Sequence, residues 1–524
     1  MEDTKKPKQL VPAKTQDLIE RRKRAMEGGG PEKASLQRQK GKMLARERLS
    51  FLLDEDSFEE VGLLVESKCD AFGMDKARRP GDGVVAGFGR IHGRGVCVYA
   101  QDFTVQGGTM GLAHARKICA VLDLAAKAKV PVIGLYDSSG ARIHEGVEAL
   151  GGYAEIFHRS VQISGLVPQI AAILGPCVGG AAYGPVLTDF VFMVEGLSHV
   201  FIAGPEVIKA ATGESTDNEA LGGAKVHSSK SGVCHFLAGS EHDCFRQIRE
   251  LFEFLPQNCD EKPKPVMPSD DPFRLSPQLG TLAEMDPKKP YNIHDVILEL
   301  ADNHQFLETH RDFALNLATG FIRLNGEAVG IVANNPLYFS GALDIDASEK
   351  GARFVRFCDA FNIPLLTLVD VPGYWPGVDQ EHAGVIRRAA KLLYAYCQAT
   401  VPKVAVVLRK AYGSAYDVMS SKHIKGDINL AWPCAEIGVM GPHAAVEILH
   451  KAELAAAPDP RALREKLVEE YVAKYASPYD AARRGFIDEV IDAKETRSKV
   501  IRALQFLRGK TVERVPKKHG NIPL

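Results

Sequence analysis

The segment "VPQIAAILGPCVGGA", residues 167–181, opens with X-Pro, runs through apolar residues and breaks into glycines. Proline is tolerated at a strand's first residue, where no ladder N–H is needed. The pattern therefore predicts a buried strand that ends in a glycine-rich turn, with a helix after it. The same pattern returns 234 residues later as "VPKVAVVLRKAYGSA", residues 401–415. Two further pairs repeat in order at an offset of 233. "RIHGRGVCVYAQD" from Arg90 matches "RLNGEAVGIVANN" from Arg323. "VPVIGLYDSSG" (130–140) matches "IPLLTLVDVPG" (363–373), laying Pro131 on Pro364, Asp137 on Asp370 and Gly140 on Gly373. Three ordered pairs at nearly one offset indicate a duplicated domain.

Each half then reads alike. A β-hairpin-like stretch comes first. A helix follows, with Ile118, Val121, Leu122 and Ala125 on one face in the first copy and Phe354, Phe357, Cys358 and Phe361 in the second; both faces are expected in the core. Two short apolar strands come next. Strands alternating with helices give an α/β class with parallel pairing. The 524 residues allow roughly two to four domains. "FLPQNCDEKPKPVMPSDDP", 254–272, is rich in proline and charge and reads as a linker. The expected division is 1–264 and 265–524.

Composition is that of an ordinary globular protein, 45% hydrophobic and 25% charged, with a formal net charge of −1. Nothing in that balance asks for nucleic acid or an anionic membrane. The basic segment within residues 1–48 is either a solvated helical extension or an arm that meets phosphate or another subunit. It lacks the interleaved aromatics of an RNA-binding surface. The ten cysteines form no C-x-x-C pair, so a thiolate zinc site or a thioredoxin-type motif has no support. Their scatter fits a reducing compartment. "MEDTKKPKQL" is not a secretory signal, and no apolar run approaches the roughly 18 residues of a membrane span. A cytoplasmic protein is expected, or a matrix protein if a targeting peptide has been removed.

The turns at 175–184 and 409–419 are the main candidate sites. Neither has the spacing of a dinucleotide fingerprint or a P-loop. Cys177 as a nucleophile has no counterpart, since Ala411 occupies its repeat position; a small buried cysteine is the better reading. An oxyanion site needs only backbone. Glycine lets the main chain approach a ligand, and N–H groups at a helix start lack intrahelical partners. Gly179-Gly180-Ala181 and Gly413-Ser414-Ala415 both meet that requirement. Small residues that merely let helix and strand pack closely would look the same, and pattern alone leaves both readings open. "HEGVE" (144–148) is not a zincin motif. Ser138 and Ser139 lack a nucleophile elbow, Glu148 and Glu381 are repeat relics, and His144 is a wall residue rather than a base.

The motifs as a set resemble the carboxyltransferase β subunits of biotin-dependent acyl-CoA carboxylases, nearest to the propionyl-type members. The pieces that carry the resemblance include "GKMLARERLSFLLD" (41–54), "PGDGVVAGFG" (80–89), "DSSGARIHEGV" (137–147), "GPCVGGAAYGPVLTDF" (175–190), "ALGGAKVHSSKSGV" (220–233), "VDVPGYWPG" (369–377), "KAYGSAYDVMSSKH" (410–423) and "AWPCAEIGVMG" (431–441). They span about residues 15–515. The resemblance implies two tandem crotonase-like domains in a β hexamer, with active sites between the N-domain of one subunit and the C-domain of another. It implies Gly179 and Gly180 as the oxyanion pair for the acyl-CoA thioester, and Ser414 and Ala415 as the pair for the biotin ureido carbonyl. Carboxybiotin then yields CO2 and a biotin enolate, which takes the acyl α-proton; the acyl enolate attacks CO2. Two enolates need two oxyanion holes, and no side chain need act as base. The resemblance also links Asp417 to a short-chain, propionyl-CoA preference. Gly140, Ala141 and Arg142 are implied on the acyl-CoA side, and Lys42, Arg46, Arg48 and Arg142 are candidates for the CoA phosphates.

Departures are small. Ser414 stands where glycine is usual, and Ser139 and His144 stand where glycine and glutamine are common. A backbone donor survives the first change. The chain has no M-K-M biotinylation motif and no ATP-grasp-like segment. A separate biotin carboxylase and biotin carrier α subunit is therefore the expected partner, with biotin carried there, acyl-CoA as substrate and no metal on this chain. Neither nucleic acid nor direct membrane insertion is expected. The four-cysteine zinc ribbon of the bacterial acetyl-CoA carboxylase β subunit is missing. An acyl-CoA decarboxylase or transcarboxylase subunit is the alternative within the fold. A non-catalytic scaffold is the alternative outside it.

Overall fold

A computed structural model describes residues 12–286, 289–513 and 515–524. The chain divides into two units. The first comprises residues up to His227 together with Phe236–Phe252; the second comprises Ser228–His235 and Glu253–Leu524.

In the first unit, helices α1 (Ala13–Met26), α2 (Pro31–Gln39) and α3 (Ala45–Leu52) precede an eight-stranded sheet. Its strands are β1 (Glu59–Glu60), β2 (Val84–Ile91), β3 (Arg94–Gln101), β4 (Val132–Ser138), β5 (Gln169–Val178), β6 (Phe190–Val194), β7 (His199–Phe201) and β8 (Phe236–Ala238). The spatial order is β1-β2-β3-β4-β5-β6-β8, with β7 on the far end of β5. The β2–β3 hairpin is antiparallel; β3 through β8 run parallel. Helices α4 (Leu112–Ala128) and α5 (Val147–Ile163) make the crossovers.

The second unit repeats this plan with β9 (Leu307–Thr309), β10 (Leu317–Leu324), β11 (Glu327–Asn334), β12 (Leu365–Val371), β13 (Lys403–Tyr412), β14 (Ile428–Ala431), β15 (Glu436–Gly438) and β16 (Glu489–Val490). Its crossovers are α6 (Ile345–Ala360) and α7 (Val385–Gln398). The bounds of β2, β3 and β4 map onto β10, β11 and β12 at 233, and those of β5 onto β13 at 234. Both hairpins turn through two residues at positive φ, His92-Gly93 and Asn325-Gly326, as tight two-residue hairpins require.

The four X-Pro strand openings act alike. The carbonyls of Pro131, Pro168, Pro364 and Pro402 accept ladder bonds from Cys97, Val132, Gly330 and Leu365 at 2.8–2.9 Å, while the missing N–H lies just outside the strand. Both expected helix faces are buried: Ile118, Val121, Leu122 and Ala125 in one unit, Phe354, Phe357, Cys358 and Phe361 in the other.

One local expectation needs correction. β5 does not break at Gly175 but runs on to Val178. β6 stops pairing at Ile173, and β7 takes over at Pro176, Cys177 and Val178. β13 does the same, passing from β14 to β15. After β5 comes a single 3₁₀ turn, Gly179–Ala182, that continues into Tyr183–Val186.

The basic N-terminal segment is helical and largely exposed through Gln39. It turns inward at Lys42, and Arg48 is fully buried. Residues 1–11 of that segment lie outside the described residues.

Candidate functional site

The parallel part of each sheet ends in the same device. Gly179 follows β5 at φ +63° and Gly413 follows β13 at φ +61°. Their repeat offset is the 234 of the strands that carry them. A Cβ on Gly413 would lie 3.1 Å from the Val439 carbonyl, and one on Gly179 would lie 3.9 Å from that of Ile202, its repeat counterpart. The left-handed start turns the chain sharply out of the strand. The following N–H groups, from Gly180 and from Ser414 and Ala415, begin helical turns and have no intrahelical acceptor. Gly180 is partly exposed and Ser414 is exposed, whereas Ala181 and Ala415 are buried beneath them. Ser414 and Ala415 open helix α8 (Gly413–Val418).

The strand paired with each turn-bearing strand, β4 or β12, carries the same supports. Asp137 N–H donates to Gln101 Oε1 at 3.1 Å, and Asp370 N–H to Asn334 Oδ1 at 3.3 Å. The loop after β4 is pinned by Met110 N–H to the Gly140 carbonyl and Arg142 N–H to the Met110 carbonyl. The loop after β12 is pinned by Leu343 N–H to Gly373 and Trp375 N–H to Leu343. Every partner shifts by 233. The first loop meets the end of β5: a Cβ on Gly140 would lie 2.9 Å from the Val178 carbonyl. Gly140, Ala141, Gly179 and Gly180 therefore share one neighbourhood.

Of the side chains singled out for chemistry, some are buried and bonded and others are exposed. Cys177 is fully buried, its Sγ 3.1 Å from the Ala181 carbonyl, and burial pushes its thiol far above the usual range. Ser138 is buried and its Oγ accepts from Gly140 N–H at 3.1 Å. His144, Glu148 and Glu381 are exposed. Among the described residues, no group of three or more His, Cys, Asp or Glu side chains is placed to hold a metal ion.

The basic residues expected at the CoA phosphates are each ion-paired in the structure. Lys42 and Arg48 are buried against Asp137, and Arg48 also pairs with Glu241. Burial pulls the Lys42 ammonium down against the attraction of Asp137. Arg46 donates to Glu60 at 2.6 Å. Arg142 is 1% exposed and donates to Asp82 at 2.7 Å, Glu145 at 2.9 Å and the Thr109 carbonyl at 2.8 Å. Its guanidinium anchors the loop rather than reaching outward. Asp82 and Glu145 lie within quoted motifs and Glu241 within none, but nothing in those motifs marks them as acceptors for these cations. Asp417 is half-exposed and sits 3.2 Å from His423 Nδ1. The His423 ring packs against Tyr416 and Phe486.

Fold and turns together define a class: a duplicated α/β protein with two mixed sheets, presenting main-chain groups at the ends of its central strands. Residues 36–522 match the family described as the carboxyl transferase domain, and the chain belongs to that family. It is 54% identical over 508 residues to the propionyl-CoA carboxylase carboxyltransferase subunit of Haloferax mediterranei, covering 97% of this chain and 98% of that one. It is 50% identical to the methylmalonyl-CoA decarboxylase subunit alpha of Propionigenium modestum, covering 98% and 99%. Among solved structures it is similar to transcarboxylase 12S, a hexamer assembly crystallised with methylmalonyl-coenzyme A and methylmalonic acid. The identity is 46%, the TM-score 0.96, and both chains are fully covered.

Proposed function

We propose that this chain is the carboxyltransferase component of a propionyl-CoA carboxylase-like enzyme. It moves a carboxyl group from carboxybiotin to the α-carbon of a short-chain acyl-CoA, converting propionyl-CoA to methylmalonyl-CoA. The observation that carries the reading is the matched pair of turns, Gly179-Gly180 and Gly413-Ser414-Ala415, on equivalent strands of duplicated units. Relatives across nearly the full chain support it.

The chain is read as two crotonase-like domains, residues 1–264 facing acyl-CoA and 265–524 facing biotin. The first turn's N–H groups at Gly179 and Gly180 receive the negative charge that develops on the thioester oxygen. Gly140 and Ala141 line the acyl-CoA side. The second turn suits a ureido carbonyl, because Ser414 is exposed and directly follows Gly413. Biotin, carried by another chain, supplies the carboxyl group and, once it is released, the base. Fixed donors at the site of developing charge are worth about 2.7–4 kcal/mol each, so this chain needs no titrating side chain there. Asp417, beside the second turn, belongs with acyl-chain selection.

A homohexameric core with a biotin carboxylase and biotin carrier α subunit as partner completes the assembly. The buried free thiols of Cys97, Cys119, Cys177 and Cys358 fit a reducing, cytoplasmic setting. The same two turns would serve a decarboxylase or transcarboxylase, as the similarity to such proteins indicates.

The test is kcat/KM for acetyl-, propionyl-, butyryl- and methylcrotonyl-CoA, assayed with the cognate biotin-bearing chain. Propionyl-CoA is expected to lead. A preference for a branched or longer acyl group would overturn the substrate assignment. Membrane pump subunits as the native partners would shift the reaction to decarboxylation.

A further inference from the structure

The repeat keeps a buried aspartate under each turn but changes the residues that partner it. Asp137 and Asp370 are equivalent, and both are inaccessible to solvent. Each also marks an irregularity in its sheet. The pairing of β4 with β5 shifts register between Tyr136 and Ser138, and that of β12 with β13 between Val369 and Val371. Such a bulge bends and re-aims the strand end, here the ends that lead into Gly179 and Gly413.

In the second unit the turn-bearing strand supplies its own partner: Lys410 N–H donates to Asp370 Oδ1 at 3.1 Å. The first unit has Pro176 at that position, which offers no N–H. Its neighbour Arg409 is replaced by Gly175. A Cβ on Gly175 would lie 2.1 Å from Asp137 Oδ1 and 2.5 Å from Lys42 Nζ. The vacated room is filled from the N-terminal segment. Lys42 Nζ donates to Asp137 Oδ1 at 2.6 Å, Arg48 to Oδ2 at 2.8 Å and Gln37 to Oδ2 at 3.1 Å. Arg48 also donates to the Leu174 carbonyl at 2.9 Å, gripping β5 itself, and to Glu241 Oε1 at 2.7 Å.

We propose that Lys42 and Arg48 are positioning residues for the first turn, replacing the main-chain donor that Pro176 removes and fixing the end of β5 so that Gly179 and Gly180 keep their aim. This rests on reading that turn as the thioester-facing site. In the second unit the main-chain donor is present at Lys410, and Tyr291 stands beside Asp370. Buried ion pairs are weak evidence for stability as such, so the observable consequence is catalytic geometry.

The experiment uses the assembled enzyme and propionyl-CoA labelled with ¹³C at its carbonyl, with infrared difference spectroscopy of the bound thioester. In the wild type, the main-chain donors lower the carbonyl stretch. Lys42→Met is expected to lose most of that downshift and to lower kcat by roughly 10- to 100-fold with little change in KM, whereas Lys42→Arg restores both. Gly180→Pro serves as the reference for the site. If it leaves the downshift intact, the thioester reading itself fails. If it removes the downshift but assembled Lys42→Met keeps both downshift and kcat, the positioning role is overturned. Should Lys42→Met not fold, Lys42→Gln and Lys42→Arg carry the comparison. A weaker downshift in the Gln variant supports the role, and equal shifts overturn it.

Discussion

Ser414 bears a hydroxyl at a position where only its main-chain N–H is asked to act. Its side chain is exposed, and a serine Oγ free to rotate in water adds little to an oxyanion held by fixed donors. Ser414→Ala should therefore keep most of kcat in steady-state assays. Ser414→Pro and Gly180→Pro each delete a donor and should lower kcat by about 100-fold or more. Abolition of turnover by Ser414→Ala in assembled protein would contradict a backbone site. At this scale the sequence was informative where chemistry depends on the main chain, because a backbone site leaves a trail of small residues that repeats with the strands. It was silent where a side chain's setting depends on distant partners. Lys42, Arg48 and Arg142 look like free cations in the sequence, yet their carboxylates at Asp137, Glu241 and Asp82 lie far along the chain. No local pattern records such long-range pairs.

Among elements, the two hairpins offer a controlled comparison. Gly93 and Gly326 hold the same turn position at φ +73° and φ +78°. A Cβ on Gly93 would meet nothing within 4 Å, while one on Gly326 would lie 2.2 Å from the Val266 carbonyl. Val266 N–H also bonds the Gly326 carbonyl at 3.1 Å, so that segment cannot move aside without losing a bond. Gly93→Ala should cost about 1–2 kcal/mol, the ordinary penalty of a left-handed L-residue. Gly326→Ala should cost clearly more, read as a larger fall in the thermal midpoint. Equal falls would show that the crowding at Val266 relaxes freely. Most elements were legible beforehand, since hairpin, helix face and X-Pro strand each carry a period or a punctuation mark. The length of β5 was not. Gly175-Pro176 reads as a break, but pairing with β7, over twenty residues downstream, extends the strand through it.

For the whole molecule, duplication reaches into the core as well as the sites. Lys117 on α4 and Lys350 on α6 are repeat partners, both buried. Each ties its helix to the turn before the hairpin. Lys117 Nζ donates to the Gly81 and Val84 carbonyls at 3.2 and 2.5 Å. Lys350 Nζ donates to His310, Phe313 and Ala314 at 3.0, 2.8 and 3.4 Å. Burial pulls the Lys117 ammonium down to about 8 and the Lys350 ammonium to about 7, only partly opposed by Glu60 and Asp82 in one case and by Glu308, Asp312 and Asp344 in the other. In the unfolded chain a lysine titrates at about 10.4. Between the two values the unfolded state binds more protons, so stability from these groups rises with pH. The charged form is the costly one in the folded state, and below about pH 7 the Lys350 penalty is fully present. Compared with Lys350→Met, the wild type should gain stability as pH rises from 7 to 9, by at most about 1.4 kcal/mol per pH unit. The measurement is the difference in thermal midpoint between the two proteins across that range. A flat difference, or one that falls with pH, would mean that the carbonyl cage keeps Lys350 charged and that the duplicated lysine is an ordinary structural cation.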